Sequence, residues 1–218
     1  MNTLTNKTAL VTGASRGMGR ATALALAAEG ARIIVHYGRN ADEANAVVNQ
    51  IRADGGQADA VSGNLAARDG AHMLGAQVRN LAGGRLDILV SNAGISNATT
   101  FETMSVKDFD ALFAVNVRAP YFLVQQLLPI MADNGSIVFV SSLGARGIRV
   151  NAVAPGVIDT DMSNFTKTEQ GRTTVMGMQS LKRIGQPNDV ASVVSFLASD
   201  AARWVTGDII AVDGGSKL

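Results

Sequence analysis

The sequence predicts a single α/β domain, covering residues 1–218, with helices on both faces of a doubly wound parallel sheet. Three observations support this fold class. Short β-branched runs alternate with longer runs in which Ala and Leu recur at helical spacing, as βαβ units require. A glycine-rich turn joins the first strand to the first helix. The chain has 218 residues, of which 47% are hydrophobic, which suits one domain with a substantial core.

Strands and helices are expected in alternation along the chain. The predicted strands are 8–12, 31–37, 57–63, 86–90, 136–142, 148–156 and 208–213, and the predicted helices are 20–29, 41–54, 68–81, 106–117, 121–132 and 188–199. Asp42 and Glu43 stand in the first turn of the second helix, where the helix dipole favours acidic side chains. Ser105 is the expected N-cap of the fourth helix. Asn134 and Gly135 predict a turn before the fifth strand.

The glycine turn reads LVTGASRGMG over residues 10–19, with glycines at Gly13, Gly17 and Gly19. Glycine adopts backbone angles closed to other residues and lets the main chain approach a ligand closely. The helix that follows presents unpaired N–H groups and a partial positive charge, which favour a phosphate. The turn therefore predicts a dinucleotide pyrophosphate at the helix start. The alternative is an ordinary glycine-rich connection between a strand and a helix.

This spacing, TGxxxGxG, resembles the short-chain dehydrogenase/reductase family. Other segments are similar to that family too: SNAG at 91–94, where the family has NNAG, IRVNAVAPG at 148–156, and RIGQPNDV at 183–190. The resemblance covers residues 7–215, with members like 3-oxoacyl-[acyl-carrier-protein] reductase the most similar. It implies a Rossmann-type fold and an oxidoreductase that uses NADP(H) to reduce a ketone or aldehyde, or to oxidise the alcohol.

The end of the second strand indicates which cofactor is used. A carboxylate there would bind a ribose 2′-hydroxyl and repel a 2′-phosphate, whereas a cation would do the opposite. The chain has Tyr37, Arg39 and Asn40 at this place, and no acid before Asp42. Arg16 can reach it from the glycine turn, and two guanidinium groups bind a phosphate through forked hydrogen bonds. We therefore predict NADPH; the alternative is that both arginines are solvated surface residues.

The resemblance also assigns roles to individual residues. Asn64 stands where the family usually has Asp beside the adenine, and its amide still donates and accepts hydrogen bonds. Asn116 corresponds to the catalytic Asn of a proton relay, although a paired core Asn is the alternative. Ser142 corresponds to the catalytic serine that hydrogen-bonds the substrate oxygen. The predicted cofactor-binding residues are Gly13, Ser15, Arg16, Gly17, Met18, Gly19, Tyr37, Arg39, Asn40, Asn64, Leu65, Asn92, Ala93, Gly94, Pro155, Gly156, Ile158 and Thr160. Residues 163–180 correspond to a substrate lid, with a core-facing helix as the alternative.

The Tyr-x-x-x-Lys pair of the family has no counterpart in this sequence. In the family the tyrosine is the general acid, and the lysine one helical turn away lowers its pKa and holds the nicotinamide ribose. The two tyrosines of the chain are Tyr37 and Tyr121, and neither is followed by Lys four residues later. The alternative function is therefore a catalytically inactive relative that binds the dinucleotide.

The connection at this place is also short. Only residues 143–147 separate the predicted strands 136–142 and 148–156. Five residues reach at most about 17 Å, whereas parallel neighbours need a crossover of a dozen or more residues. Either the two strands form a hairpin, or a segment of roughly thirty residues is missing between Ser142 and Arg146. We favour a missing segment, omitted from the sequence or deleted from the protein, over a naturally short relative.

Composition argues against several other classes of protein. The formal net charge is +1 without a block of like charges, so neither nucleic acid nor a membrane is an expected partner. The absence of cysteine excludes disulfides, thiolate metal sites and cysteine nucleophiles. His36 and His72 lack the spacing of a zinc site, so no metal is expected. The N-terminal residues lack a signal-peptide pattern, and we expect a cytoplasmic protein. The family resemblance implies a small-molecule carbonyl or alcohol substrate and a homodimer or homotetramer.

Overall fold

A computed structural model describes residues 3–96, 103–139, 148–161 and 163–216. The strands are β1 (Thr8–Val11), β2 (Arg32–Tyr37), β3 (Gln57–Ser62), β4 (Leu86–Val90), β5 (Met131–Val138), β6 (Arg149–Pro155) and β7 (Ile209–Val212). The α-helices are α1 (Gly17–Ala28), α2 (Ala41–Ala53), α3 (Gly70–Leu81), α4 (Val106–Phe113), α5 (Ala119–Leu127), α6 (Glu169–Met178) and α7 (Pro187–Ala198). A π-helical turn, Ala114–Arg118, joins α4 to α5.

The described strands form one sheet in the order β3-β2-β1-β4-β5-β6-β7. Every neighbouring pair in this sheet is parallel. Strand β1 lies between β2 and β4, so the chain winds outward from it in both directions. In such sheets a ligand binds at the carboxyl ends of the strands where the winding direction changes. The predicted doubly wound fold is confirmed, and its geometry places the glycine turn at that crevice.

Two apolar layers cover the two faces of the sheet. One contains Leu26 of α1, Ile51 of α2 and Val194 of α7, packed against Val11 and Val35. The other contains buried residues of α3 and α5, packed against Leu10, Ile34 and Leu89. Because strands buried on both faces need apolar residues at nearly every position, β4 reads Leu-Asp-Ile-Leu-Val and is buried throughout.

Three predicted helix boundaries are wrong. The first helix begins at Gly17 rather than at residue 20, because the end of the glycine turn is itself the first helical turn. The predicted helix 106–117 ends at Phe113 and continues as the π-helical turn. The predicted helix 121–132 ends as α5 at Leu127, and β5 already begins at Met131. The predicted turn is an irregularity within β5: Asn134 has a φ of +61°, and the register with β4 shifts there.

Strands β5 and β6 are parallel neighbours, with Ser136 opposite Arg149 and Val138 opposite Asn151. This excludes the hairpin alternative for the two strands. Residues 139–148 join them, and these ten residues are fewer than the dozen or more that a parallel crossover needs. Ser142, the predicted catalytic serine, lies outside the described residues, as does the place of the predicted gap.

Candidate cofactor and active site

The glycine turn packs directly against the end of β4. A Cβ atom on Gly13 would lie 3.0 Å from Cα of Ala93, and Gly13 has a φ of +63°. A Cβ atom on Gly19 would lie only 2.3 Å from the carbonyl oxygen of Gly13. Real Cβ atoms do not approach backbone this closely, and a backbone atom cannot move aside as a flexible side chain can. Glycine is therefore required at both positions to close the turn.

The N-terminus of α1 is open. Arg16 occupies the N-cap position with extended backbone angles, and its side chain makes no capping hydrogen bond. The N–H groups of the first helical turn have no partners within a helix, so they remain for a ligand or water. Gly17 follows with a φ of +55°, and the nearest atom to a Cβ there would be Cγ2 of Thr160, at 3.8 Å. The open helix end thus faces the segment after β6.

Thr12 and Asn92 tie the ends of β1 and β4 together. The Thr12 hydroxyl accepts hydrogen bonds from the backbone N–H of Asn92 at 3.0 Å and of Ala93 at 2.9 Å. The Asn92 amide donates to the carbonyl oxygens of Thr12 at 2.8 Å and Gly13 at 3.2 Å. Asn92, predicted to bind cofactor, therefore has its amide nitrogen committed to the glycine turn. Thr12 is absent from the predicted site, although a polar residue ending a buried strand is the signal that identifies it.

His36 is a second residue that the sequence analysis did not assign to the site. Its side chain is buried at the end of β2, 2% exposed. One ring nitrogen lies 3.1 Å from the backbone nitrogen of Gly13, and the other lies 3.1 Å from the carbonyl oxygen of Gly63. His36 thus contacts the glycine turn on one side and the end of β3 on the other.

The end of β2 carries the residues that predict the cofactor. Tyr37 is partly buried against the apolar layer, whereas Arg39 and Asn40 are exposed. Arg16 forms an ion pair with Asp161 at 3.5 Å, and both side chains are largely exposed. An exposed pair of this kind contributes little, because solvent screens it. This ion pair therefore holds the guanidinium of Arg16 only weakly in its position.

Asn64 and Leu65 follow β3 and behave differently from each other. Asn64 is exposed, and its side-chain oxygen accepts a hydrogen bond from the N–H of Ala66 at 3.1 Å. Leu65 is 7% exposed and belongs to the apolar layer beneath α3. The Leu65 side chain therefore packs in the core. Only its backbone is left for the predicted contact with a cofactor.

Asn116 lies in the π-helical turn between α4 and α5. Its amide nitrogen donates to the carbonyl oxygen of Ile95 at 2.9 Å, and the N–H of Ile95 donates back to its amide oxygen at 2.9 Å. Contrary to the core alternative, Asn116 is exposed rather than buried. Both its amide nitrogen and its amide oxygen nevertheless have a hydrogen-bond partner. The wide π turn thus directs this amide onto the loop after β4, beside Gly94, where a Cβ would be in ordinary contact with the amide oxygen at 3.5 Å.

The segment after β6 forms the opposite wall of the crevice. A Cβ on Gly156 would lie 2.7 Å from Cα of Asp213, so only glycine fits there. Ile158 is buried, and the Ser163 hydroxyl donates to its carbonyl oxygen. The N–H of Thr160 donates to the same hydroxyl at 3.0 Å. Pro155 is exposed at the end of β6. These contacts hold Thr160 in its place facing the glycine turn.

A cavity of about 580 Å³ opens beside this crevice. Ala93, Gly94 and Asn116 line its end nearest β4, and Tyr121, Leu128 and Phe139 line the rest. The lining is mostly apolar, and Phe139 is the first residue of the short connection between β5 and β6. An apolar cavity with a few polar groups at one end is typical of a small-molecule site.

Neither a metal-binding cluster nor a membrane-spanning helix occurs among the described residues. No three His, Asp or Glu side chains lie close enough together there to hold a metal ion. Among the helices within those same ranges, none has both the length and the apolarity to cross a bilayer.

Comparison with known proteins identifies relatives along nearly the whole chain. Residues 7–146 match the family described as short chain dehydrogenase, and residues 141–217 match the one described as Enoyl-(Acyl carrier protein) reductase. Versicolorin reductase 1 of Aspergillus parasiticus is 37% identical, covering 98% of this chain and 97% of that protein. A 3-oxoacyl-[acyl-carrier-protein] reductase of Synechocystis is 36% identical, covering 100% of both chains.

Solved structures give the same picture. The angucycline C-6 ketoreductase LanV with bound NADP is 37% identical, with a TM-score of 0.90, and the match covers 98% of this chain and 96% of that one. A blue fluorescent protein from a metagenomic library, in complex with NADPH, is 34% identical, with a TM-score of 0.90, covering 99% of this chain and 100% of that one.

The relatives contain additional residues in the interior of the alignment that this chain lacks. The alignment with the Synechocystis protein runs over 251 positions and covers both proteins from end to end, which is 33 positions more than the 218 residues here. The two family matches overlap at residues 141–146, where the sequence analysis placed the gap. These relatives are more than 30% identical to this chain, the matches cover nearly all of it, and the solved structures share its fold. Together with the glycine turn, this shows that the chain belongs to the short-chain dehydrogenase/reductase family.

Proposed function

We propose that the protein binds NADPH and reduces a ketone or aldehyde, or oxidises the corresponding alcohol. The observation that carries this proposal is the closed glycine turn beneath an uncapped helix N-terminus, held between the ends of β1 and β4. Relatives named as ketoreductases, and related structures that contain NADP or NADPH, support it. The apolar lining of the cavity beside Asn116 favours a substrate whose carbonyl is attached to a bulky apolar body.

The residues present fit the cofactor. The first-turn N–H groups of α1 would hold its pyrophosphate. Arg16 and Arg39 would bind the 2′-phosphate, and Asn64 would contact the adenine through its amide NH₂ group. Ala93 and Gly94 would lie against the nicotinamide ribose. The segment from Pro155 through Gly156 and Ile158 to Thr160 would cover the nicotinamide.

NADPH, when bound, supplies a hydride to a carbonyl carbon. The contributions of this chain are to position the substrate and to exclude water. Asn116 fixes the loop after β4 through its two hydrogen bonds with Ile95. Ser142 would hydrogen-bond the substrate oxygen, a role that rests on the family resemblance. A proton for that oxygen must come from a group other than a tyrosine with a lysine four residues later, because the sequence contains no such pair.

A second candidate function is cofactor binding with little turnover. The absence of the Tyr-x-x-x-Lys pair favours it, since general acid catalysis contributes about 10²–10⁴-fold to a rate. The 33 extra positions of the relative, together with the overlap of the two family matches at 141–146, support a missing segment at that place. A single domain with this interruption is the organisation that we propose.

The first experiment separates these two functions. The intact mass of the purified protein is measured before any assay, followed by NADPH oxidation with a panel of aromatic and acyl ketones. A mass near 22.6 kDa with saturable NADPH binding and very slow turnover is expected for the sequence as printed. A mass greater by about 3 kDa, corresponding to roughly thirty residues, would mean that the segment exists and that full reductase activity is expected. Rates typical of reductases from a 22.6 kDa chain would contradict the second candidate.

We also propose that the protein is cytoplasmic and forms a homodimer or homotetramer through α4 and α5. Phe109, Phe113, Val117 and Tyr121 follow one another at four-residue spacing along α4, the π-helical turn and α5. All four are 47–65% exposed. Such an apolar stripe is unfavourable in water and typical of an interface. Light scattering of the wild type and of Phe113→Glu tests it: the wild type is expected to be oligomeric and the variant to dissociate. A monomeric wild type would contradict it.

A further inference from the structure

His36 joins the two halves of the proposed cofactor site. Its Nδ1 atom lies 3.1 Å from the backbone nitrogen of Gly13. Because that nitrogen carries a hydrogen, Nδ1 must be the acceptor. The hydrogen of the ring then lies on Nε2, 3.1 Å from the carbonyl oxygen of Gly63, to which it donates. The geometry therefore specifies a neutral imidazole with its hydrogen on Nε2.

The two partners of this ring belong to different segments of the proposed cofactor site. Gly13 opens the turn that would support the pyrophosphate, and Gly63 precedes Asn64, which would contact the adenine. The backbone of the same strand adds two bonds: the carbonyl of His36 accepts from the N–H of Ala14 at 2.8 Å, and the carbonyl of Tyr37 accepts from Gly63 at 3.0 Å. A Cβ on Gly63 would lie 3.2 Å from Nε2, so the ring fills the space there.

We infer that His36 is a positioning residue for the cofactor: its neutral ring holds Gly13 and Gly63 in their binding arrangement, and protonation of Nδ1 releases Gly13. This inference rests on the proposed function, since it concerns the affinity for NADPH. An Nδ1 that carries a hydrogen cannot accept from Gly13. The partly buried N–H of Gly13 then loses its partner, and the turn loses the contact that fixes its first glycine.

The surroundings of the ring favour the neutral form. Burial lowers the pKa of His36 below its usual 6.5, and the hydrogen bond to Gly63 opposes this only in part. The neighbouring strand β1 has no ionisable side chain. On β3, Asp59 is paired with Arg32 and Arg52.

Helix α3, which packs beside the ring through Leu74, has its ionisable groups turned elsewhere. His72 is exposed and contacts the ring of Phe122, Arg79 donates to Gln126, and Asp69, just before the helix, is exposed. Burial is therefore the main influence on His36. Cofactor affinity should be constant above its pKa and should fall as the pH decreases through it, in the range below 6.5.

Equilibrium titrations with NADPH between pH 5 and 8 test this inference. They are carried out on the wild type, His36→Asn, His36→Phe and the control His72→Gln. In His36→Asn, the amide oxygen replaces Nδ1 as an acceptor that does not titrate in this range. In His36→Phe, ring volume is kept and the acceptor is lost. The 2′-phosphate of the ligand also titrates near pH 6, so each curve is compared with that of His36→Asn, and NADH provides a second check.

The wild type and His72→Gln should lose affinity about tenfold for each pH unit below the pKa of His36, beyond the loss seen for His36→Asn. The Phe variant should bind about tenfold more weakly at pH 8, without this extra dependence. Identical pH profiles for the wild type and His36→Asn would overturn the inference, as would normal binding by His36→Phe. Absence of NADPH binding at every pH would instead contradict the proposed function itself.

Nitrogen NMR of the wild type gives a readout that does not depend on whether the variants fold. The chain has two histidines, so His72→Gln assigns both ring signals. We expect the His36 signals of a neutral ring with hydrogen on Nε2, and a titration midpoint that moves to lower pH when NADPH is added. A midpoint unchanged by NADPH, or a hydrogen on Nδ1, would overturn the inference.

Discussion

The two ends of the candidate site differ in completeness. At the ends of β1, β2 and β4, glycines, hydroxyls and amides are joined by a continuous set of short contacts, from Gly13 and Thr12 to Asn92. At the ends of β5 and β6, two parallel strands are joined by only ten residues, and no tyrosine with its lysine exists in the sequence. In the proposed function, cofactor binding and proton transfer thus depend on separate parts of this fold, and we expect binding to persist without proton transfer.

The largest expected effect comes from restoring the second region. We predict that inserting the corresponding segment of the Synechocystis 3-oxoacyl-[acyl-carrier-protein] reductase between Ser142 and Arg146 raises the turnover of a ketone substrate at least about 10²-fold, because it supplies a general acid. NADPH oxidation measures the effect. The same insertion with its Tyr replaced by Phe is the control and should remain slow. Equal rates for both insertions would contradict the division into two regions.

Disrupting the first region should weaken NADPH binding. Gly19→Ala places a Cβ 2.3 Å from the carbonyl oxygen of Gly13, and overpacking of this kind costs about 1–3 kcal/mol. We expect NADPH affinity to fall by about 10-fold to 100-fold, as measured by fluorescence titration. Gly177→Ala is the matched control, because its Cβ would meet no atom within 4 Å. If Gly19→Ala bound NADPH as tightly as Gly177→Ala, the closed turn would not be the binding element.

Removing the hydrogen bonds between Thr12 at the end of β1 and the residues after β4 should have a smaller effect, mainly on thermal stability. Thr12→Val keeps the shape of the side chain but removes the acceptor of the Ala93 N–H, and it leaves the Asn92 N–H with the carbonyl oxygen of Val90 alone, at 3.1 Å. An unpaired buried polar group costs about 1–3 kcal/mol, so thermal unfolding should shift by several degrees. Thr12→Ser retains the hydroxyl and should lie close to the wild type. An unfolding midpoint for Thr12→Val equal to that of Thr12→Ser would show that the tie does not stabilise the fold.

The smallest expected effect is a change in the preference for NADPH over NADH when the two arginines are replaced. We expect Arg16→Ala and Arg39→Ala each to weaken NADPH binding by about tenfold while leaving NADH binding unchanged, because a charge-assisted bond to the 2′-phosphate is lost. Thermal stability should not change for Arg16→Ala, since its ion pair with Asp161 is exposed. Equal losses for NADPH and NADH would mean that the arginines do not contact the 2′-phosphate.

Much of the fold follows from local sequence. The periodicity of apolar residues predicts all seven strands in the observed order, although the fifth begins at Met131 rather than at residue 136. The predicted N-cap Ser105 is confirmed, because its hydroxyl accepts from the N–H of Asp108 at 3.1 Å. The errors lie where tertiary packing overrides local pattern. Residues 128–132 continue the apolar run of α5, but Met131 pairs with Leu86 in the sheet.

The site could be predicted only in part. Glycine spacing indicates where a backbone must be close, and it correctly marks Gly13 and Gly19. Hydrogen-bond partners that are distant in the sequence cannot be predicted in this way. Asn116 forms hydrogen bonds with Ile95, and His36 forms them with Gly13 and Gly63. These contacts join residues that are 21 to 27 positions apart.

Equilibrium binding of NADPH and NADH to the 22.6 kDa chain tests the central claim most directly. The claim is that the cofactor site is complete although the catalytic acid is absent. Saturable binding of NADPH, tighter than that of NADH by about tenfold or more, is the predicted result. Failure to bind either dinucleotide, by a chain that unfolds cooperatively, would contradict it.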